Sequence, residues 1–284
     1  MIDLHTHTTY SDGTLTPTEL VEEAAAIGLS AVAVTDHDTV DGLPEALAAG
    51  ARLGIRVVPG VEINLEHEQV TMDMLGYFLA GTPGEGLRAE LAELRLYRDE
   101  RNERILARLR ELGYPIGTAD LTAVSGDGAV GRPHIGEAMV RRGYAGSVKE
   151  AFERFLRRGA PAWVDRRRLA MSPAIRLLRA SGGLPVLAHP GIIRTGAAGL
   201  EHIVREAARL GMAGLECYYP LHDEATVAAC LRLAERYALV PTGGSDYHGT
   251  VKPDAHLGIG SAGEPVPDEL LAGLDCLAAT AGDG

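Results

Sequence analysis

His5-Thr6-His7 sets two imidazoles two residues apart, and Asp246-Tyr247-His248 pairs a carboxylate with an imidazole at the same spacing. Side chains alternate along an extended strand, so each pair lies on one face. Imidazole and carboxylate both ligate divalent metals, and two on one face begin a site. Residues of the same chemistry recur at Asp12, Asp36-His37, Glu62, Asp73, His189 and His222, almost every one at the end of a short apolar run. The three cysteines, Cys217, Cys230 and Cys276, show no CxxC spacing. That excludes a zinc–thiolate site and a disulfide framework. Oxygen and nitrogen ligands without thiolates suit Mn²⁺, Zn²⁺ or Fe²⁺. One ion takes three or four protein ligands, so a set this large implies two or three ions, with Glu62 as a plausible bridge. Clustered divalent ions suit phosphate ester hydrolysis. They yield hydroxide near neutral pH, polarise P–O bonds and stabilise the leaving oxygen.

These residues can act together only if the strands before them lie side by side. Residues 2–4 are a short apolar run. Thr16-Pro17-Thr18-Glu19 is a capping box with proline at the first helical position, and Gly28 closes that helix. Residues 31–35 (AVAVT) read as a buried strand, 43–53 as a helix and 56–59 as a strand, with Glu62 just beyond. This alternation predicts a parallel sheet. Residues 70–78 (VTMDMLGYF) read as one more strand, which carries Asp73. After Gly84 the pattern changes. Residues 87–112 read as one long charged helix, followed by helical pieces over 133–143 and 147–157 and a strand signal only at 162–164. The chain therefore divides into 1–80 and 165–284, a barrel carrying the metal residues, and 81–164, a helical insertion.

Alternation then resumes: helix 175–180, strand 184–188, helix 200–210, strand 213–217, helix 224–237, strand 239–242 and a last helix over about 268–279. A frayed tail, Ala281-Gly282-Asp283-Gly284, is expected to follow. About seven strands, each ending in polar residues, fit a closed (β/α) barrel better than an open doubly wound sheet. No GxGxxG or GxxxxGK[ST] loop supports a nucleotide fold. In a barrel the residues after the strands converge at the C-terminal rim, where active sites lie.

The chain has 284 residues, 27 basic and 39 acidic, for a net charge of −12. So acidic a protein is a poor general binder of nucleic acid. The charge is uneven: residues 85–168 hold 17 basic against 13 acidic, and the remainder 10 against 26. An acidic body can host cations, and an arginine-rich segment can host phosphate. No run of about 18 apolar residues predicts a membrane span. Met1-Ile2-Asp3-Leu4-His5 does not read as a secretory signal, so the cytoplasm is the expected location. His67, His202 and His256, standing alone, read as surface or packing histidines.

The motifs His5-Thr6-His7, Ser11-Asp12-Gly13, Thr35-Asp36-His37-Asp38, Gly60-Val61-Glu62, Ala188-His189-Pro190 and Gly244-Ser245-Asp246-Tyr247-His248 resemble, in order, those of the PHP (polymerase and histidinol phosphatase) family of metal-dependent phosphoesterases. The resemblance implies an α/β fold, a distorted (β/α)7 barrel, with an inserted helical subdomain that covers its mouth. It implies a trinuclear centre. His5, His7, Glu62 and Asp246 would hold one ion. Glu62 would bridge to a second, shared with His189 and Asp73. Asp12, His37 and His248 would hold the third. Mn²⁺ is the expected ion, with Zn²⁺, Fe²⁺ or Mg²⁺ as alternatives. Asp73 is a departure, since relatives usually carry histidine there. A carboxylate in an apolar strand is costly without a partner, which favours a retained ligand, and the swap would alter substrate preference. Gly131-Arg132-Pro133-His134 matches the R-x-H element that relatives use to hold substrate phosphate.

Weaker candidates come from position alone. Arg158 and Arg194 could touch phosphate, and His222 could touch phosphate or assist catalysis beside Arg132 and His134. Asp36 could orient the neighbouring imidazole, and Arg166-Arg167-Arg168 reads as surface. The leading expectation is a phosphoesterase that hydrolyses a small nucleotide or ribose phosphate, monoester or cyclic diester, by metal-hydroxide attack on phosphorus. A 5′-exonuclease on short RNA is the runner-up. A non-enzymatic metal-stabilised scaffold is the third reading. The expected partner is a small phosphorylated substrate, with no long nucleic acid and no membrane; oligomeric state is not encoded legibly.

Overall fold

The computed structural model describes residues 1–125 and 130–281. Residues 282–284 of the expected frayed tail lie outside it. The chain opens with β1 (Ile2–Asp3), α1 (Pro17–Ala26), β2 (Ala31–Val34), α2 (Leu43–Leu53), β3 (Arg56–His67) and β4 (Val70–Tyr77). Four helices follow: α3 (Glu85–Glu111), α4 (Thr118–Ser125), α5 (Arg132–Arg141) and α6 (Val148–Ala151), the last running into a π-turn over Phe152–Leu156. Then come β5 (Leu169–Ala170), α7 (Met171–Ala180), β6 (Leu184–Leu187), α8 (Ala197–Arg209), β7 (Gly214–Tyr218), α9 (Glu224–Arg236), β8 (Val240–Gly243) and α10 (Glu269–Ala281).

Two compact units emerge, residues 1–90 with 168–284, and residues 91–167. The first is an α/β barrel-like sheet in the order β1-β2-β3-β4-β6-β7-β8, with β5 paired to β3 at the side. Strands β1, β2 and β3 are parallel, as are β6, β7 and β8. β4 is antiparallel to both of its neighbours, β3 and β6, and this distorts the barrel. Beyond the strand ends, the Leu4 N–H donates to Gly243 O at 3.2 Å and the His7 N–H to Tyr247 O at 2.9 Å, nearly closing the sheet. The first and last strands can approach this closely because residue 244 is glycine. A Cβ there would lie 2.4 Å from the Cβ of His5.

Two expectations are corrected. The strand over 56–59 is only the first third of β3, which runs on because β4 folds back along it from Gly60↔Tyr77 to His67↔Val70. Glu62 therefore sits within a strand rather than after one. The strand over 162–164 does not form: Ala162 lies in a turn, and both Ala162 and Val164 are buried in the core of the second unit. Their apolar character serves packing, and among the described residues no strand runs alongside to pair with them.

The alternation of β3 builds the floor and mouth of the barrel. Val58, Glu62 and Asn64 share a face. Val58 joins an apolar cluster with Leu4, Ala33, Leu75, Tyr77, Val186 and Leu274. On β4 the same face carries Tyr77, Leu75 and then Asp73, so the polar layer follows directly on the apolar one. The β3–β4 turn is two residues long, and both Glu68 (φ 48°) and Gln69 (φ 69°) adopt the left-handed conformation, unusual without glycine. The second unit packs α3, α4, α5 and α6 around Ile105, Leu109, Ile116, Ile135, Met139 and Phe155. No helix among the described residues is long and apolar enough to cross a membrane.

Candidate metal centre

All nine expected metal ligands belong to the barrel unit, and they converge. One donor atom from each of His5, His7, Glu62 and Asp246 lies within 4.8 Å of the others, and so do donors from His7, Asp12, His37 and His248. Glu62 stands at the middle. Its Oε2 is 3.2 Å from His5 Nε2, from His7 Nε2 and from His37 Nδ1, while its Oε1 is 3.1 Å from His189 Nε2. Asp246 Oδ1 lies 3.2 Å from His7 Nε2, and His248 Nε2 lies 3.2 Å from Asp12 Oδ1. Donors of His37, Glu62 and Asp73 form a third grouping, with His189 Nε2 3.9 Å from Asp73 Oδ2.

The donors are held by residues behind them. Glu216, fully buried on β7, lies 3.0 Å from His5 Nδ1 through Oε1 and accepts the His189 N–H at 2.6 Å through Oε2. A carboxylate behind one ring nitrogen turns the other, Nε2, toward the centre. His248 is oriented in the same way by Asp246 O, 2.8 Å from its Nδ1. Tyr219 Oη and Lys252 Nζ both donate to Asp246 Oδ2, at 3.1 and 2.7 Å, which turns Oδ1 toward His7. Asp3, buried at the end of the first strand, accepts the backbone N–H groups of His5, Ser245 and Gly258, so the two strand ends share one anchor. Asp38, His189 and Asp246 take positive φ of 53°, 29° and 54°. Such backbone is strained, persists only where neighbours over-determine it, and gathers at functional sites.

The sequence reading missed Glu216, Asp3, Tyr219 and Lys252. Glu216 sits inside a strand and not after one, so the strand ends do not point to it. A carboxylate within the run Leu215-Glu216-Cys217 was the available signal, the same argument already applied to Asp73. Glu216→Gln should lower metal affinity roughly 10- to 100-fold, read by metal titration, with the fold intact because volume is kept. An unchanged affinity would remove Glu216 from this role.

The electrostatics ask for cations. Burial works against a charged His5, yet the carboxylates of Glu62, Glu216 and Asp246 outweigh it and hold its pKa well above the usual value. Burial also works against a charged His7, but the adjacent carboxylates of Asp246 and Glu62 bring it up to about 9. Burial would raise the carboxyls of Asp12, Glu62 and Asp246. The surrounding histidines, and Lys252 for Asp246, hold all three well below their usual range. Asp73 goes the other way, raised by burial and by the Glu62 charge. So many buried carboxylates are stable only against positive charge. Three imidazole nitrogens, His5 Nε2, His7 Nε2 and His189 Nδ1, are nonetheless buried without a hydrogen-bond partner. Divalent cations answer both demands, and the donor set fits them.

The remaining candidates find varied places. Asp36 reaches toward His7 through Ser11, whose Oγ lies 3.5 Å from His7 Nδ1. It accepts from the Thr8 N–H and hydroxyl and from the Ser11 hydroxyl, bracing the loop that carries His7 and Asp12. His222 is buried with both ring nitrogens on backbone, Nδ1 2.9 Å from Cys217 O and Nε2 accepting the Gly191 N–H at 3.0 Å. That braces the turn after His189. Arg168, expected at the surface, donates to Asn64 Oδ1 at 2.8 Å, and Asn64 donates to Asp73 Oδ1 at 2.7 Å. Arg194 and Arg158 are exposed. In the second unit, the Arg132 guanidinium lies 4.7 Å from the Trp163 ring centroid and donates to Leu156 O at 3.3 Å. His134 is buried at the start of α5, where its Nδ1 accepts the Gly131 N–H at 3.1 Å.

A near-closed α/β barrel with a mouth of buried imidazoles and carboxylates defines a metal-dependent phosphoric ester hydrolase. The chain belongs to the PHP domain family, whose pattern matches residues 3–156. Among curated relatives it is 32% identical to the 3′,5′-nucleoside bisphosphate phosphatase of Chromobacterium violaceum, over 87% of each chain. It is 32% identical to the phosphoribosyl 1,2-cyclic phosphate 1,2-diphosphodiesterase of Eggerthella lenta, over 90% of this chain and 97% of that one. It is 31% identical to the 5′-3′ exoribonuclease of Haemophilus influenzae, over 87% and 89%. Among solved structures, one from Bifidobacterium adolescentis, described as a candidate metal-dependent phosphoesterase, superposes with a TM-score of 0.85 at 29% identity, covering 97% of this chain and 95% of that one.

Proposed function

We propose that this hydrolase acts on a small phosphorylated metabolite, either a nucleoside bisphosphate or a ribose phosphate that includes a cyclic diester. The observation that carries the reading is the pair of four-residue donor groups that share His7, one of which contains Glu62. His5, His7, Glu62 and Asp246 would hold one ion, Asp12, His37 and His248 another, and Glu62, Asp73 and His189 a third, with Mn²⁺ as the expected metal. Bound there, divalent ions would supply Lewis-acid activation of water and of the phosphoryl oxygens.

The chain's own residues do the rest. The insertion is proposed to cover the mouth of the barrel and to bring Arg132 and His134 to the substrate. Arg132 is suited to bidentate contact with a phosphate, and its stacking on Trp163 limits the freedom lost on binding. His134 would hold a proton for the phosphate or the leaving oxygen. Asn64 holds one oxygen of Asp73, leaving the other toward His189. Asp73 adds negative charge where the family resemblance implies a neutral ring. This favours a substrate with one fewer negative charge at the reacting phosphorus, as in a cyclic diester.

Arg132→Ala should lower kcat/KM roughly 10- to 100-fold, the worth of one charged hydrogen-bonding group. Unchanged kcat/KM on every active substrate would remove Arg132 from the phosphate site. A 5′-exonuclease acting on short RNA is the second reading, favoured by the exoribonuclease relative. Chromatographic product analysis with Mn²⁺-loaded protein, given a nucleoside 3′,5′-bisphosphate, a ribose cyclic phosphate and a 5′-phosphorylated RNA 5-mer, separates the two, since opening a cyclic diester leaves a monoester and cutting an RNA link leaves a nucleotide, and neither step frees inorganic phosphate. Turnover of either small ester above that of the RNA is the expected result. Turnover of the RNA alone would replace the first reading by the second.

A further inference from the structure

His67 and His202, unconnected in the sequence, come together with Glu68. His67 ends β3, Glu68 opens the turn to β4, and His202 lies on α8. The two imidazoles stack with centroids 6.0 Å apart at 28°. Glu68 spans them, Oε1 4.0 Å from His67 Nε2 and Oε2 3.6 Å from His202 Nε2. One donor from each residue lies within 4.8 Å of the other two. These gaps are too wide for direct hydrogen bonds. They are close to the spacing a small cation imposes, because two bonds of about 2.1 Å at a tetrahedral angle set their donors roughly 3.4 Å apart. His67 Nε2 is moreover buried with no hydrogen-bond partner. The cluster is separate from the catalytic centre. On β3, Glu62, Asn64 and Glu66 share one face, and His67 lies on the other with Ile63 and Leu65.

We propose that His67, Glu68 and His202 form a second, peripheral site for a borderline divalent ion, Zn²⁺ in preference to Mn²⁺. Two imidazoles and one carboxylate make a three-ligand set with an open position, and nitrogen donors favour zinc over manganese. The bound ion would tie the tip of the β3–β4 hairpin to α8, two elements far apart in the chain. One neighbour opposes it: Arg205 NH2 lies 2.8 Å from His202 Nδ1. The same guanidinium has an alternative partner, with Nε 3.4 Å from Glu206 Oε1. On binding, the His202 ring proton moves to Nδ1, Nε2 turns to the ion, and Arg205 swings to Glu206. Removing that positive charge should tighten Zn²⁺ binding roughly tenfold.

Equilibrium dialysis against Zn²⁺, with metal counted per chain, tests this on wild type, the double variant His67→Gln/His202→Gln, and Arg205→Gln. The double variant should hold one Zn²⁺ fewer, and Arg205→Gln should hold the peripheral ion more tightly. Mn²⁺-dependent phosphate release should stay at the wild-type level in both, since none of these residues belongs to the catalytic centre. A double variant that binds as many ions as wild type, with the same affinities, overturns the site. An Arg205→Gln chain that gains no affinity overturns the placement of the ion on His202.

Discussion

Glu62→Gln should lower phosphoester turnover about a thousandfold or more, the equivalent of roughly 4 kcal/mol of lost transition-state stabilisation. Its two oxygens lie within 3.2 Å of nitrogens from four histidines. Glutamine keeps the volume, so the barrel should fold. It removes the negative charge on which the neighbouring ligands depend, and it offers one oxygen where the carboxylate offers two. Metal content should fall with activity. The informative comparison is metal per chain against kcat. A variant that keeps full metal content and turnover would take Glu62 out of the centre.

Chelation should have the second large effect. Phosphate release should disappear on removal of divalent metal and return on addition of Mn²⁺. The melting temperature should fall as well. A site held at about 100 times its dissociation constant adds roughly 2.7 kcal/mol to the folded state, and each kcal/mol moves the midpoint by about 2–4 °C in a domain of this size. Each tightly held ion is then worth roughly 5–10 °C. The sign follows from the burial of Glu62, Asp246 and Glu216, whose charges the ions offset. Calorimetry on chelated and reconstituted protein checks it, and an unchanged midpoint with unchanged activity would contradict it.

Much of this candidate centre is legible in sequence because its donor residues sit in local motifs. The spacing of His5 with His7 and of Asp246 with His248 needs only the two-residue period of a strand. The strand–helix alternation before Glu62 and after Ser172 needs only local propensity and capping. What was not legible depends on who lies opposite. Nothing local announces that β4 runs antiparallel, or that β3 is lengthened by that pairing to reach His67. Glu216 and Lys252 gain meaning only once β7 and the loop after His248 stand beside His5 and Asp246. Arg168 looked like one charge in a solvated run, but its partner is Asn64, far back in the sequence. His222 followed a strand like a ligand, yet the fold spends both of its nitrogens on backbone. Residue type and spacing nominate donors, and tertiary contact decides which of them remain available.

The most direct test of the metal centre is anomalous X-ray diffraction from crystals soaked in Mn²⁺, recorded at the manganese edge. The predicted result is a cluster of peaks, one among His5, His7, Glu62 and Asp246 and another among Asp12, His37 and His248, with Glu62 between neighbouring ions. Manganese peaks confined to other surfaces, with these residues unliganded in crystals of an active protein, would contradict it.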